Sequence, residues 1–187
     1  MSLRILAILA PLLGLLAGCA SPNPKLYTLA RVPGPAVAAP AQTIEIRHVG
    51  LARYLDRPGI VTRVDAYRVT LADDARWAEP LADMLARVIA ADLSARLPGS
   101  TVFTAASAIS AAPDVTVEID IQRFDAGSRF TLVAALALRH AGEAPKLTTV
   151  SLAAPPPTGE ENQVATMSRL LGDLADRLAT LIANDGH

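Results

Sequence analysis

Apolar residues recur along this chain with two periods, and the change from one to the other outlines the elements. From Thr43 to Val49, Ile44 and Ile46 alternate with Glu45 and Arg47, the period of a half-buried strand, and His48 continues the Ile44/Ile46 face. Gly59 to Val64 and Ala66 to Leu71 carry β-branched residues and read as short strands. After Ala72-Asp73-Asp74 the period lengthens. Leu81, Leu85, Val88, Ile89 and Leu93 share one face of a helix expected from about Arg76 to Leu97. Pro80 falls in its first turn, where a missing N–H does no harm, and Pro98-Gly99 ends it. Thr101 to Thr104 is a short strand. Val115, Val117, Ile119 and Ile121 then alternate with polar neighbours, and Arg129 to Arg139 follows after Asp125-Ala126-Gly127, as in a hairpin or meander. Lys146 to Leu152 adds another strand. Pro155-Pro156-Pro157 stops the sheet, and Thr158 and Glu161 have capping-box spacing at the start of a last helix. Its stripe of Val164, Met167, Leu171, Leu174, Leu178 and Leu181 suits packing on a sheet, or a seam between subunits. The order predicts an α+β domain: a mainly antiparallel sheet with two long helices packed on one face.

The amino terminus belongs to a different class of segment. Arg4 provides a positive charge, Ile5 to Leu16 is apolar apart from Pro11 and Gly14, and Leu16-Ala17-Gly18-Cys19 closes the run. This is the form of a secretory signal, too short to span a bilayer, which needs about 20 apolar residues. The closing tetrapeptide resembles the bacterial lipobox. That resemblance implies cleavage before Cys19, a diacylglycerol on its thiol and acylation of the freed amine; the covalent lipid is the one cofactor expected. Ala20, where enterobacterial inner-membrane lipoproteins carry Asp, is similar to the outer-membrane sorting pattern. The chain thus divides into a signal peptide (1–18), a lipidated Pro/Ala-rich tether (19–42) and a single α+β domain (43–187). Within the tether, Leu26-Tyr27-Thr28-Leu29 has strand character and is placed to add an edge strand.

Composition narrows the function. Seventeen Lys and Arg nearly cancel eighteen Asp and Glu, with no dense basic run, which argues against a nucleic-acid partner. Cys19 is the sole cysteine, so the chain has no internal disulfide. His48, His140 and His187 have no Cys or Glu at metal-ligand spacing, and neither a Gly-x-Ser-x-Gly elbow nor a phosphate loop is present. Asp73-Asp74 is explained by the preference of acids for a helix N-terminus. These readings point away from an enzyme and from a metal site, and no catalytic residue is assigned.

Two blocks go beyond generic globular sequence: Arg53-Tyr54-Leu55-Asp56-Arg57-Pro58-Gly59-Ile60-Val61 and Arg76-Trp77-Ala78-Glu79-Pro80-Leu81. With Tyr27-Thr28-Leu29 after a lipobox, they resemble the PqiC family of ABC-transport auxiliary lipoproteins along nearly the whole mature chain. Leu51-Ala52 stands where the family pattern has Leu-Pro. The resemblance implies a lipid-anchored subunit on the periplasmic face of the outer membrane. It would work with a periplasm-bridging MCE-domain protein and inner-membrane transporter components in moving lipid and preserving envelope integrity, and it allows a ring-forming homo-oligomer. Tyr54, Leu55, Asp56, Arg57 and Pro58 are the candidate partner contacts, since aromatics and Arg are enriched at interfaces. A structural role is the other reading: Asp56 and Arg57 as a local pair, with Tyr54 and Trp77 packed on the domain. An assembly lipoprotein of another envelope complex is the alternative function. A lipid-holding binding module or hydrolase is a third, and it requires a deep apolar pocket.

Overall fold

A computed structural model describes residues 23–108 and 111–185, with the backbone alone at Asp185; Cys19 and the signal segment lie outside the described residues. The elements run β1 (Lys25–Tyr27), β2 (Thr43–Leu51), β3 (Gly59–Arg63), β4 (Val69–Trp77), α1 (Leu81–Arg96), β5 (Thr101–Thr104), β6 (Val115–Ala126), β7 (Phe130–His140), β8 (Lys146–Ala154) and α2 (Gly159–Asp185). The fold is α+β, with all eight strands in one mixed sheet. Strand β6 is its spine. Antiparallel β7 lies along one edge, with β8 beyond it. The other edge is shared by parallel β2 and, past the end of β2, by β3 at Thr62↔Ala126. β5 extends the sheet beyond β2, and β4 then parallel β1 extend it beyond β3. The antiparallel pairings are the longer ones; the parallel ones arise where a helix or a long connection returns the chain.

Both helices cover one face. Leu85, Val88, Ile89 and Leu93 of α1 and Leu171, Leu174 and Leu178 of α2 join Ile44, Ile46, Val115, Val117, Leu132 and Leu136 in one buried cluster. Each such side chain contributes about 1.5–3 kcal/mol when fully buried. The α2 stripe is therefore spent inside the molecule, on α1 and the sheet, with only Leu181 partly exposed.

Three local expectations are corrected. The helix expected from Arg76 starts at Leu81: residues 72–77 continue β4, which pairs with β1 and β3, so Asp73 and Asp74 lie on a strand and not at a helix N-terminus. Pro80, extended at ψ 130°, is the cap residue, and the residue before a proline avoids the helical region. His48 is exposed, because a register shift between Ile46 and His48 moves Val49 into the core in its place. At the entry to α2 the expected capping box is replaced. Gly159 takes φ +77°, and Asn162 Nδ2 donates to the Thr158 carbonyl at 2.8 Å.

The proline-rich stretch supplies β1 at the β4 edge and then crosses the helices as a strap. The Leu29 N–H points at Met84 Sδ (3.1 Å), Ala30 N–H donates to Ser168 Oγ (3.1 Å) and Val32 N–H donates to Asp92 Oδ1 (3.0 Å). Buried Arg96 donates to the carbonyls of Val32, Asp92 and Gly172 and pairs with Asp176, while Val37 N–H donates to the Arg96 carbonyl at 2.7 Å. A segment that read as a free tether is thus packed between Leu29 and Val37.

Candidate partner-docking site

The three blocks singled out in the sequence converge. The β2–β3 loop brings residues 54–58 against the end of β4: Trp77 N–H donates to the Pro58 carbonyl (2.8 Å), and Gly59 pairs with Arg76. From the other side, Tyr27 pairs with Trp77 and its carbonyl accepts from Ala78 N–H at 2.9 Å. Trp77 is buried at this junction together with Leu55 and Leu81.

Above the indole lies an open cleft of about 380 Å³, lined by Asp56, Arg57, Pro58, Trp77, Glu79, Pro80 and Leu81. Two prolines and a packed tryptophan hold its walls, so the cleft is preformed. Asp56, Arg57 and Pro58 are exposed on its rim, and no ion pair joins Asp56 to Arg57; Glu79 pairs instead with Arg87. The five candidate residues therefore split. Asp56, Arg57 and Pro58 are presented outward, whereas Leu55 is core and Tyr54 turns inward.

Tyr54 turns inward to a cluster that sequence reading missed. Its hydroxyl donates to Asp125 Oδ2 at 2.5 Å. Arg63 grips the same carboxylate from β3, Nε to Oδ1 at 3.1 Å and Nη2 to Oδ2 at 2.9 Å, and Arg123 Nε adds a bond to Oδ1 at 3.1 Å. The Arg63 guanidinium also lies 5.5 Å from the Tyr54 ring centroid. Burial opposes ionisation of Asp125, but the hydrogen bonds from Arg63, Tyr54 and Arg123 outweigh it and hold the carboxyl below its ordinary range. Burial and the bond to Asp125 push the Tyr54 hydroxyl up. The cluster fixes the loop that carries Asp56 and Arg57. The only signal in the sequence was Asp125 in a turn tripeptide; its partners lie 71 and 62 residues away.

A second concavity, about 570 Å³, lies on the sheet's helix-free face, lined by His48, Glu118, Asp120, Ala135, Ala137, Leu147 and Thr149 among others. No group of three or more His, Cys, Asp or Glu among the described residues could hold a metal ion. No helix of the described residues is long and apolar enough to cross a membrane.

An auxiliary, lipid-anchored envelope component is the class this architecture suits: a small solid α+β domain with a preformed surface cleft and its N-terminal segment strapped on. The chain belongs to the family of ABC-type transport auxiliary lipoprotein components, whose model matches residues 27–179. Among solved structures it is similar to the crystal structure of the Xanthomonas campestris protein XCC0632, with TM-score 0.70 and 19% identity over 87% of this chain and 96% of that one. It is also similar to an uncharacterised protein, with TM-score 0.68 and 19% identity over 86% and 99%. These likenesses show the fold. No curated protein matches the chain.

Proposed function

We propose that this chain is the outer-membrane subunit of an MCE-type ABC transport system. Acylated at Cys19 and facing the periplasm, it docks the periplasm-spanning MCE-domain component for lipid movement between membranes and for envelope integrity. Lipid transfer and catalysis belong to other subunits, and the covalent lipid on Cys19 is its only cofactor. The observation that carries the docking role is the cleft over Trp77. The three blocks that mark the family resemblance meet there, and they leave Asp56, Arg57 and Pro58 outward on a rigid rim. A preformed site with an exposed Arg and rigid apolar walls suits a protein partner, because little conformational entropy is lost on binding.

A photo-crosslinker placed at Arg57 in the full lipidated chain, in cells that express the transport system, should trap the MCE-domain protein. The same group at Glu143, in the β7–β8 turn, should not. Crosslinks from Glu143 alone, or from neither position, would contradict docking through this cleft. Recovery of a different envelope complex would favour an assembly lipoprotein.

A further inference from the structure

Among the described residues, five of the six large apolar side chains that stand exposed belong to β1 and the β3–β4 hairpin: Leu26, Val64, Tyr67, Val69 and Leu71. Tyr67 is 96% exposed at the hairpin tip. That tip is built, not loose. Asp65 Oδ1 accepts the N–H groups of Tyr67 and Arg68, each at 2.9 Å, and Asp65 Oδ2 takes Arg68 Nε at 2.6 Å. A turn so fixed holds an aromatic ring in water at a cost and covers nothing within the domain.

The register shows what lies beside it. β1 runs parallel to β4 with Lys25 opposite Ala75, so the chain before Lys25 leaves in the direction of Val69 and the tip. Cys19 precedes Lys25 by six residues, a reach of at most about 20 Å. Ala75 lies six residues beyond Val69, about 20 Å along a strand. The lipid-bearing residue can therefore stand level with the tip but hardly beyond it. The hollow beneath the tip is lined by Arg63, Val64, Asp65, Ala66, Arg123, Gly127 and Ser128. Arg63 and Arg123 share the single carboxylate of Asp125, and Asp65 is matched by Arg68, which leaves one positive charge in excess.

We infer that the β3–β4 hairpin tip is a second membrane contact: Tyr67, Val64 and Val69 enter the interface of the phospholipid leaflet that holds the Cys19 lipid, with the Arg63/Arg123 hollow against its anionic headgroups. A tyrosine with aliphatic neighbours and a basic rim is the composition that settles at a bilayer interface. Two points of contact orient the domain, where a lipid tether alone would let it tumble. This rests on the reading of Cys19 as the anchor.

The test uses the full lipidated protein in vesicles of phosphatidylethanolamine and phosphatidylglycerol. With Cys19 acylated, an introduced cysteine is the only free thiol. An environment-sensitive fluorophore at Tyr67→Cys should shift to the blue and lose at least half its emission to a lipid-borne quencher. The same label at Glu143→Cys, in the β7–β8 turn at the far end of β6, should remain water-exposed. Vesicle flotation of both variants with the label at position 67 unquenched would overturn the membrane contact and leave the anchor standing, as would a label buried only when a partner protein is added. Failure of both variants to float would overturn the anchor and this inference together.

Discussion

Asp125 shows at the scale of one residue how the candidate site is held. A fully buried carboxylate is tolerable only when its charge and lone pairs are matched, and here two guanidinium groups and a phenol match it. Its native pKa is lowered from the ordinary 3.8, so its stabilisation is present above that value and is lost as pH falls through the lowered one. Asp125→Asn should therefore cost about 3 kcal/mol at neutral pH, by leaving two arginines without their anion, and should flatten the loss of stability below pH 4. Urea unfolding at a series of pH values checks both; a variant with wild-type stability and an unchanged acid limb would contradict the role given to the cluster. None of this was legible beforehand. Asp125 sits in a tripeptide that any turn would carry, and the link between Tyr54, Arg63 and Asp125 exists only once β6 reaches past β2 to meet β3.

At the scale of the element, strong periodicity translated directly. The stripes of α1 and α2 and the alternation in β6 and β7 needed only the core they face. Elements whose identity depends on neighbours did not translate. Residues 72–77 carry little strand pattern and became β4 because β1 and β3 flank them, and the shift beside Arg47 sent His48 outward by one residue's phase. The proline-rich segment looked like a tether because its packing rests on backbone N–H and C=O groups, which composition does not reveal. Its path also needs two glycines. A Cβ on Gly34 would lie 2.3 Å from Arg96 Nη2, and one on Gly172 would lie 2.9 Å from Val32 Cβ. Gly172→Leu should accordingly lift the strap while α2 stays helical. Limited proteolysis should then cut between residues 30 and 40 at least ten times faster than in wild type, with little change in helical circular dichroism. Equal cleavage rates would show that the strap does not depend on that close approach.

For the whole molecule, the strap fixes how the domain relates to its anchor. Only the few residues between Cys19 and β1 remain to act as a leash, so the β1 edge and the β3–β4 tip stay near the bilayer. The Trp77 cleft lies at the opposite end of β4 from that tip, turned toward a partner arriving from the periplasm. Anchor and cleft serve one function in this arrangement: the lipid sets the membrane, and the cleft receives the bridging component held there. Family membership establishes an auxiliary transport lipoprotein; which membrane holds it is the part of the account most open to direct measurement. The measurement is separation of inner and outer membranes on a density gradient, with detection of the wild-type chain and the Cys19→Ser variant in parallel. Wild type should band with the outer membrane, and the variant should appear folded in the soluble periplasmic fraction. A wild-type chain in the inner-membrane band, or a variant that still sediments with membranes at wild-type levels, would contradict an outer-membrane docking subunit held through Cys19.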